Sequence, residues 1–203
     1  MALAPVGTPS SRERLAPSRL AGLVRAMWFY AVASWRREPH VPPGYRAFSS
    51  HKQSGYTTVV AVMLALVAVE TFAVHLLVAR FSTVAACALT ALSAYAMLWM
   101  VAETRAVALN PLLVNEEELI ARWGMLVCEH VPLNLIARVS EVEPSAPKGE
   151  RLNLAAMGAR ACWIELTDPL ETRGITGKPR LVRVLEVSPD DIVAFRNALL
   201  PRS

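Results

Sequence analysis

A carboxylate set in an otherwise uncharged apolar run is the most unusual feature of this 203-residue chain. Glu70 directly follows Val59–Val69, VVAVMLALVAV, which carries no charged side chain. An ionised acid near a bilayer midplane costs about 2–3 kcal/mol on insertion scales, so such acids are kept neutral or paired and mark functional sites by default. If this run forms a helical hairpin with the apolar run that follows, Glu70 lies level with Thr90, Ala91, Ser93 and Ala94. Two chemistries are then open. Thr90 or Ser93 donates to Glu70 and glues the helices, or Glu70 serves as a proton relay or a contact to another membrane protein. The glue role is the simpler expectation. His75 lies five residues on, about 140° around a helix, so it does not share a face with Glu70. A metal or haem role for His75 needs a second ligand, and only Cys87 is near that height. No metal and no cofactor are expected, and His75 and Arg80 are expected to reach lipid headgroups.

The other candidates are weaker still. Cys128 and His130 share one face of a predicted strand, but a zinc site needs two more ligands and Cys162 alone is insufficient. A buried cysteine and a surface histidine are expected instead. Glu116, Glu117 and Glu118 suit a solvated turn, and Trp123 and Trp163 suit a core. No phosphate loop, nucleophile elbow or zinc-protease helix motif occurs. No catalytic residues are assigned, and the expectation is a protein that is not an enzyme. Three cysteines without close spacing argue against a disulfide framework and suit a reducing compartment.

These residues need elements to hold them, and the apolar residues supply the two main ones. The chain is 54% hydrophobic, above the usual 45–50%, and the excess lies between Tyr56 and Ala102. A first span is predicted from Tyr56 to Val78 and a second from Thr83 to Ala102. At ~1.5 Å per residue, about 20 residues cover a hydrocarbon core of roughly 30 Å. The connection, Ala79-Arg80-Phe81-Ser82, is short enough to force an antiparallel hairpin. Arg36, Arg37, Arg46 and Lys52 precede the first span and Arg105 follows the second, while the bend holds Arg80 alone. By the positive-inside rule the protein is multi-pass with both termini cytoplasmic. Arginine outnumbers lysine by 18 to 3, which fits a GC-rich bacterial coding sequence and an inner-membrane location. Ser82, Ala86, Thr90 and Ala94 recur every four residues and form a helix-packing stripe, facing either the first span or a second copy.

The segments outside the hairpin differ in charge. Residues 1–55 hold eight basic and two acidic residues, whereas residues 103–203 hold twelve basic and fourteen acidic. Basic residues beside a span point to lipid headgroups, not to nucleic acid. Residues 1–18 are expected to be disordered. Residues 19–37 read as an amphipathic helix lying in the interface, with Leu20, Leu23, Val24, Met27, Trp28, Ala31, Val32 and Trp35 on one stripe. Residues 38–55 form a Pro-rich juxtamembrane linker.

From 103 to 203 short β-type runs alternate with turn signals. Runs are predicted at Ala106–Leu109, Leu112–Val114, Leu119–Trp123, Met125–Val131, Leu133–Val139, Leu152–Leu154, Ala161–Leu166 and Leu181–Val187. Asn115–Glu118 and Gly124 form turns, Asp168-Pro169 ends a strand, and residues 144–150 and Glu171–Pro179 form loops. A closing helix starts at Ser188 as N-cap, with Pro189, Asp190 and Asp191 in its first turn and Val187 and Ile192 as a staple. Ile192, Phe195 and Leu199 form its apolar stripe, and Pro201 ends it.

Leu113-Val114-Asn115-Glu116-Glu117-Glu118-Leu119, then Arg122-Trp123-Gly124, Val131-Pro132-Leu133, Ile136 and Val139, following an apolar hairpin, resemble bacterial membrane proteins that carry a pleckstrin-homology-like domain. The resemblance covers roughly residues 56–200 and departs in the long N-terminal arm and the 144–150 loop. It implies an α+β membrane protein, with a two-helix transmembrane hairpin and a small C-terminal pleckstrin-homology-like β domain capped by a helix. The implied role is a membrane-anchored scaffold, assembly or interaction protein, and no catalytic residues carry over. Its partners would be membrane lipids and another membrane or membrane-associated protein, or a second copy. The competing expectation is an accessory subunit of a transporter or ion-coupled complex that uses Glu70.

Overall fold

The computed structural model describes residues 18–39, 41–52, 55–173 and 179–200. The arm expected to be disordered, 1–18, lies outside them but for Ser18, and so does most of the Glu171–Pro179 loop. Helix α1, Ser18–Trp28, continues through a π-helical turn at Phe29–Ala33. Strand β1, Arg46–Phe48, comes next, then the two long helices α2, Tyr56–Ala79, and α3, Thr83–Leu109. Both are long and apolar enough to cross a membrane, with mean hydropathies of 2.3 and 1.8 over their most apolar windows, and almost none of either window is buried.

The bend between α2 and α3 is closed locally. Phe81 and Ser82 donate their N–H groups to the Val78 carbonyl. Ser82 is extended and its hydroxyl accepts from the Ala85 N–H at 3.3 Å, so it caps α3. That role corrects its expected place in the packing stripe. Helix α3 also runs past Ala102 to Leu109, so Ala106–Leu109, expected as a strand, is its last turn. No breaker occurs before Asn110-Pro111, and the proline ring pushes Asn110 out of the helical region, to φ −113° and ψ 69°.

Strand β2, Leu112–Val114, pairs antiparallel with β1, with Arg46 opposite Val114 and Phe48 opposite Leu112. The expected linker 38–55 therefore supplies a strand, and the hairpin is an insertion between two neighbouring strands of one sheet. Three residues are too few to show an alternation of two, and the partner strand lies beyond both long helices. Strands β3, Glu118–Trp123, and β4, Val127–Pro132, complete an antiparallel sheet ordered β1-β2-β3-β4. Asn115 shapes the β2–β3 turn, its side-chain oxygen accepting from the N–H groups of Glu117 and Glu118.

The second sheet holds β5, Ile136–Ser140, β6, Arg151–Leu154, β7, Cys162–Arg173, and β8, Pro179–Val187, in the order β5-β7-β8-β6. Only β6 and β8 pair in parallel. Asp168-Pro169 does not end β7. The register shifts between Glu165 and Leu170, and an irregularity of this kind is where a strand tolerates a residue without an N–H.

The closing helix α4 spans Ile192–Leu199. Its N-cap is Asp191, accepting from the Ala194 N–H at 2.9 Å, and not Ser188. Ser188 is buried instead, and its hydroxyl accepts from the Ala156 N–H. Phe195 enters the core between the sheets among Leu119, Ile164, Leu185 and Val187, and meets Phe48 edge-on at 5.2 Å. Segments from either side of the hairpin thus meet in one core.

Phe195→Ala should cost about 3–5 kcal/mol, the usual loss for a buried aromatic. A double-mutant cycle with Phe48→Ala should give a coupling of about 0.5–1.5 kcal/mol. Chemical denaturation followed by tryptophan fluorescence reads both values, and strictly additive losses would deny the contact.

Candidate functional site

A group of polar side chains converges where the hairpin meets the first sheet. Helix α1 packs against the end of α3, with Met27 and Ala31 buried against Ala102, and Tyr30, Leu98, Trp99 and Met125 around them. The end of α1 leaves carbonyls without helical partners. Arg105 satisfies two, its Nη2 donating to the carbonyls of Ser34 at 2.8 Å and Trp35 at 3.3 Å. Its guanidinium also lies 5.7 Å from the centre of the Trp35 ring. Arg105 is therefore an internal clamp, which corrects its assignment to lipid headgroups. Arg36, Arg37, Arg46 and Lys52 are exposed. Arg37 lies over the Phe29 ring at 5.0 Å and Arg46 over the Phe48 ring at 5.6 Å.

The β3–β4 turn docks on α3 through residues that sequence reasoning had passed over. Asn110 donates its amide N–H groups to the Tyr30 hydroxyl at 3.1 Å and the Gly124 carbonyl at 3.0 Å. Glu103 accepts from the Met125 N–H at 3.2 Å. Arg122 donates from Nε to the Pro111 carbonyl at 3.1 Å. Trp123 is half-buried and meets Tyr56, the first residue of α2, edge-on at 6.0 Å. Gly124 has φ +58°, and a Cβ there would lie 1.6 Å from a Glu103 carboxylate oxygen. On the other side, Asp190 reaches the segment after β1, donating its N–H to the Ser49 carbonyl at 2.7 Å and accepting from the Lys52 N–H at 3.2 Å. Burial lowers the affinity of the neighbouring His51 for a proton, against the pull of Asp190. The signals that could have exposed this junction were a Glu and an Arg continuing a helix past its apolar stretch and a glycine in a hairpin turn.

Within the hairpin the two helices meet through His75, not Glu70. His75 Nδ1 lies 2.8 Å from the Thr90 hydroxyl, which also donates to the Ala86 carbonyl at 2.9 Å. His75 is thus turned inward, away from the headgroup role expected for it. Ala86 is fully buried and Thr90 half-buried, so this part of the stripe faces the other helix of the same hairpin, while Ala94 is exposed and Ser93 half-buried. Five residues from that contact along each helix, Glu70 lies level with Tyr95, not Thr90. Glu70 is exposed on the outer surface, which removes the expected hydrogen bond from Thr90 or Ser93.

On the first sheet, Tyr45 donates to Glu118 Oε1 at 2.6 Å, and His130 Nδ1 lies 2.9 Å from Glu118 Oε2. Burial opposes ionisation of Glu118, but the hydrogen bonds from Tyr45 and His130 and the charge of His130 outweigh it and hold this carboxyl below the usual range. Cys128 is exposed rather than buried, whereas Cys162 is buried and its thiol is pushed up to about 11, chiefly by burial. No group of three metal-ligating side chains occurs among the described residues. No family model, no curated protein and no solved structure matches the chain.

Gly124→Ala should destabilise the protein by about 1–3 kcal/mol, because it combines a strained backbone with displacement of Glu103. The shift is measurable as a lowered thermal midpoint in detergent. Glu118 also sets an acid limb. Its depressed folded-state pKa stabilises the protein above the unfolded carboxyl value, near 4.5, and that contribution is lost as pH falls through the folded value. Glu118→Gln should flatten the stability–pH curve below about pH 4.5, and an unchanged acid limb would show that the Tyr45–Glu118–His130 cluster contributes nothing.

Proposed function

We propose that this chain is a membrane-anchored scaffold that presents a pleckstrin-homology-like domain to a protein partner at the cytoplasmic face of a bacterial inner membrane. The single observation that carries this reading is the antiparallel pairing of β1 with β2 across the hairpin. Strands joined in one ladder must lie on the same side of any barrier the hairpin crosses. The two feet of the hairpin, Tyr56 and Leu109, therefore share a side, and the sheets lie with them.

Several features support a membrane setting. Both long helices expose apolar surface along their length, including Leu66, Val69, Phe72 and Leu92. In water such a surface would be a strong aggregation hazard. At the level where α3 enters the sheets, α1 turns Val24, Trp28, Val32 and Trp35 outward, each about half exposed or more. Tryptophans beside aliphatic residues suit headgroup depth. The excess of positive charge before the hairpin supports a cytoplasmic position for that side. The pleckstrin-homology-like assignment rests on two four-stranded sheets around one core and a C-terminal helix closing it. A protein partner is favoured over a lipid ligand because residues 103–203 are near neutral, with twelve basic residues against fourteen acidic.

Two measurements test this. Single cysteines at Lys52 and Ala108 should react from the cytoplasmic side, and one at Phe81 from the opposite side. Labelling of Lys52 and Ala108 from opposite sides would end the proposal. In vivo photo-crosslinking from exposed positions such as Leu126 in the β3–β4 turn and Leu181 in β8, followed by mild detergent extraction, should recover a stoichiometric protein. Recovery of lipid alone would replace the scaffold role with a lipid-binding one.

A further inference from the structure

Glu70 is placed in a seam that the hairpin leaves unused. Val59, Met63, Leu66, Glu70, Ala73 and Leu77 follow one another at alternating steps of four and three residues, all exposed on α2. That spacing is the one by which two parallel helices interlock, and a single polar residue at such a position fixes register and copy number. The inward contacts of α2 run instead through Val60 and through His75 with Thr90.

We propose that this face pairs with the same face of a second copy, so that the two Glu70 carboxyls meet at the two-fold axis. The inference rests on the membrane placement argued above, because only there is an exposed carboxyl costly enough to need a partner. Both copies cross in the same sense, so their α2 helices run parallel and residues of equal number share a height. A carboxyl is complementary to its own kind, since a protonated group donates to its neighbour and the pair buries both in hydrocarbon. Ala73, one turn away, removes bulk at the contact and lets the backbones approach. The symmetry is closed, and each copy contributes the same patch.

The test uses the full-length protein in its own membranes, with Cys87→Ala and Cys128→Ser to silence the exposed thiols. Single cysteines at Leu66 and Ala73 should form disulfide-linked dimers under mild oxidation at least about tenfold faster than cysteines at Val62 and Val69, which are equally exposed but off the seam. With a cysteine at Leu66 as reporter, Glu70→Gln should preserve the dimer, because an amide pairs with an amide. Glu70→Leu should lower the dimer fraction roughly tenfold at limiting expression. Equal linking at all four positions, or linking only to a different protein, overturns the second copy as occupant. Loss of the protein from the membrane fraction would overturn the membrane placement as well, whereas absent linking in a membrane-bound protein overturns the seam alone.

Discussion

The organisation of this molecule depends on one short ladder. Three residue pairs between β1 and β2 join segments that are separated along the chain by the whole apolar hairpin. That ladder makes the N-terminal segment part of the sheet domain and fixes both feet of the hairpin beside each other. It also brings Phe48 into the core against Phe195, so aromatic packing reinforces what backbone hydrogen bonds begin. A hairpin tethered at only one foot could swing. One tethered at both, with α3 running unbroken into the sheets, has a fixed relation to them.

The junction adds stiffness through polar contacts between half-buried side chains. Arg105 and Glu103 stand on the last two turns of α3 and Asn110 caps its end, and each reaches a different neighbour: the end of α1, the β3–β4 turn, and both together. Charge-assisted hydrogen bonds to backbone groups are stronger than neutral ones, and here they join three elements with few side chains. The hairpin interior relies on less, a histidine–threonine contact and close approach at Ala86. Its outward face carries Glu70.

The architecture was legible wherever the sequence shows a long period or a strong breaker. Helix α2, the start of α3, the Asn115–Glu118 turn, the Gly124 turn and the strands from Leu112 to Val131 stand within a few residues of where patterning puts them, while α3 runs seven residues past its expected end. The misses have physical causes. β1 is too short to show an alternation, and its partner is remote in sequence. Ala106–Leu109 is apolar because it is covered by neighbours, and burial on all sides looks alike in a strand and a helix. Ser188 has the right chemistry for a cap, yet Asp191 has it too, and only tertiary packing decides which is buried. Glu70 and Thr90 were matched by an assumed height, and the register set by His75 shifted the match by five residues. Arg105 looked like a topology signal because its charge is visible in sequence, while the helix end it clamps is not.

The insertion of the hairpin within a sheet has a consequence for how the protein is made. β1 is synthesised before β2 and must wait, unpaired, until about 60 further residues have been added, some ten seconds at the slower rates of elongation. In the proposed membrane placement the apolar helices are delivered to the bilayer during that interval. In that placement the domain can close only after both helices have been threaded out and back, so a finished sheet would record a completed insertion. A chain whose second helix failed to return would leave β1 without its partner strand, an open edge on the domain.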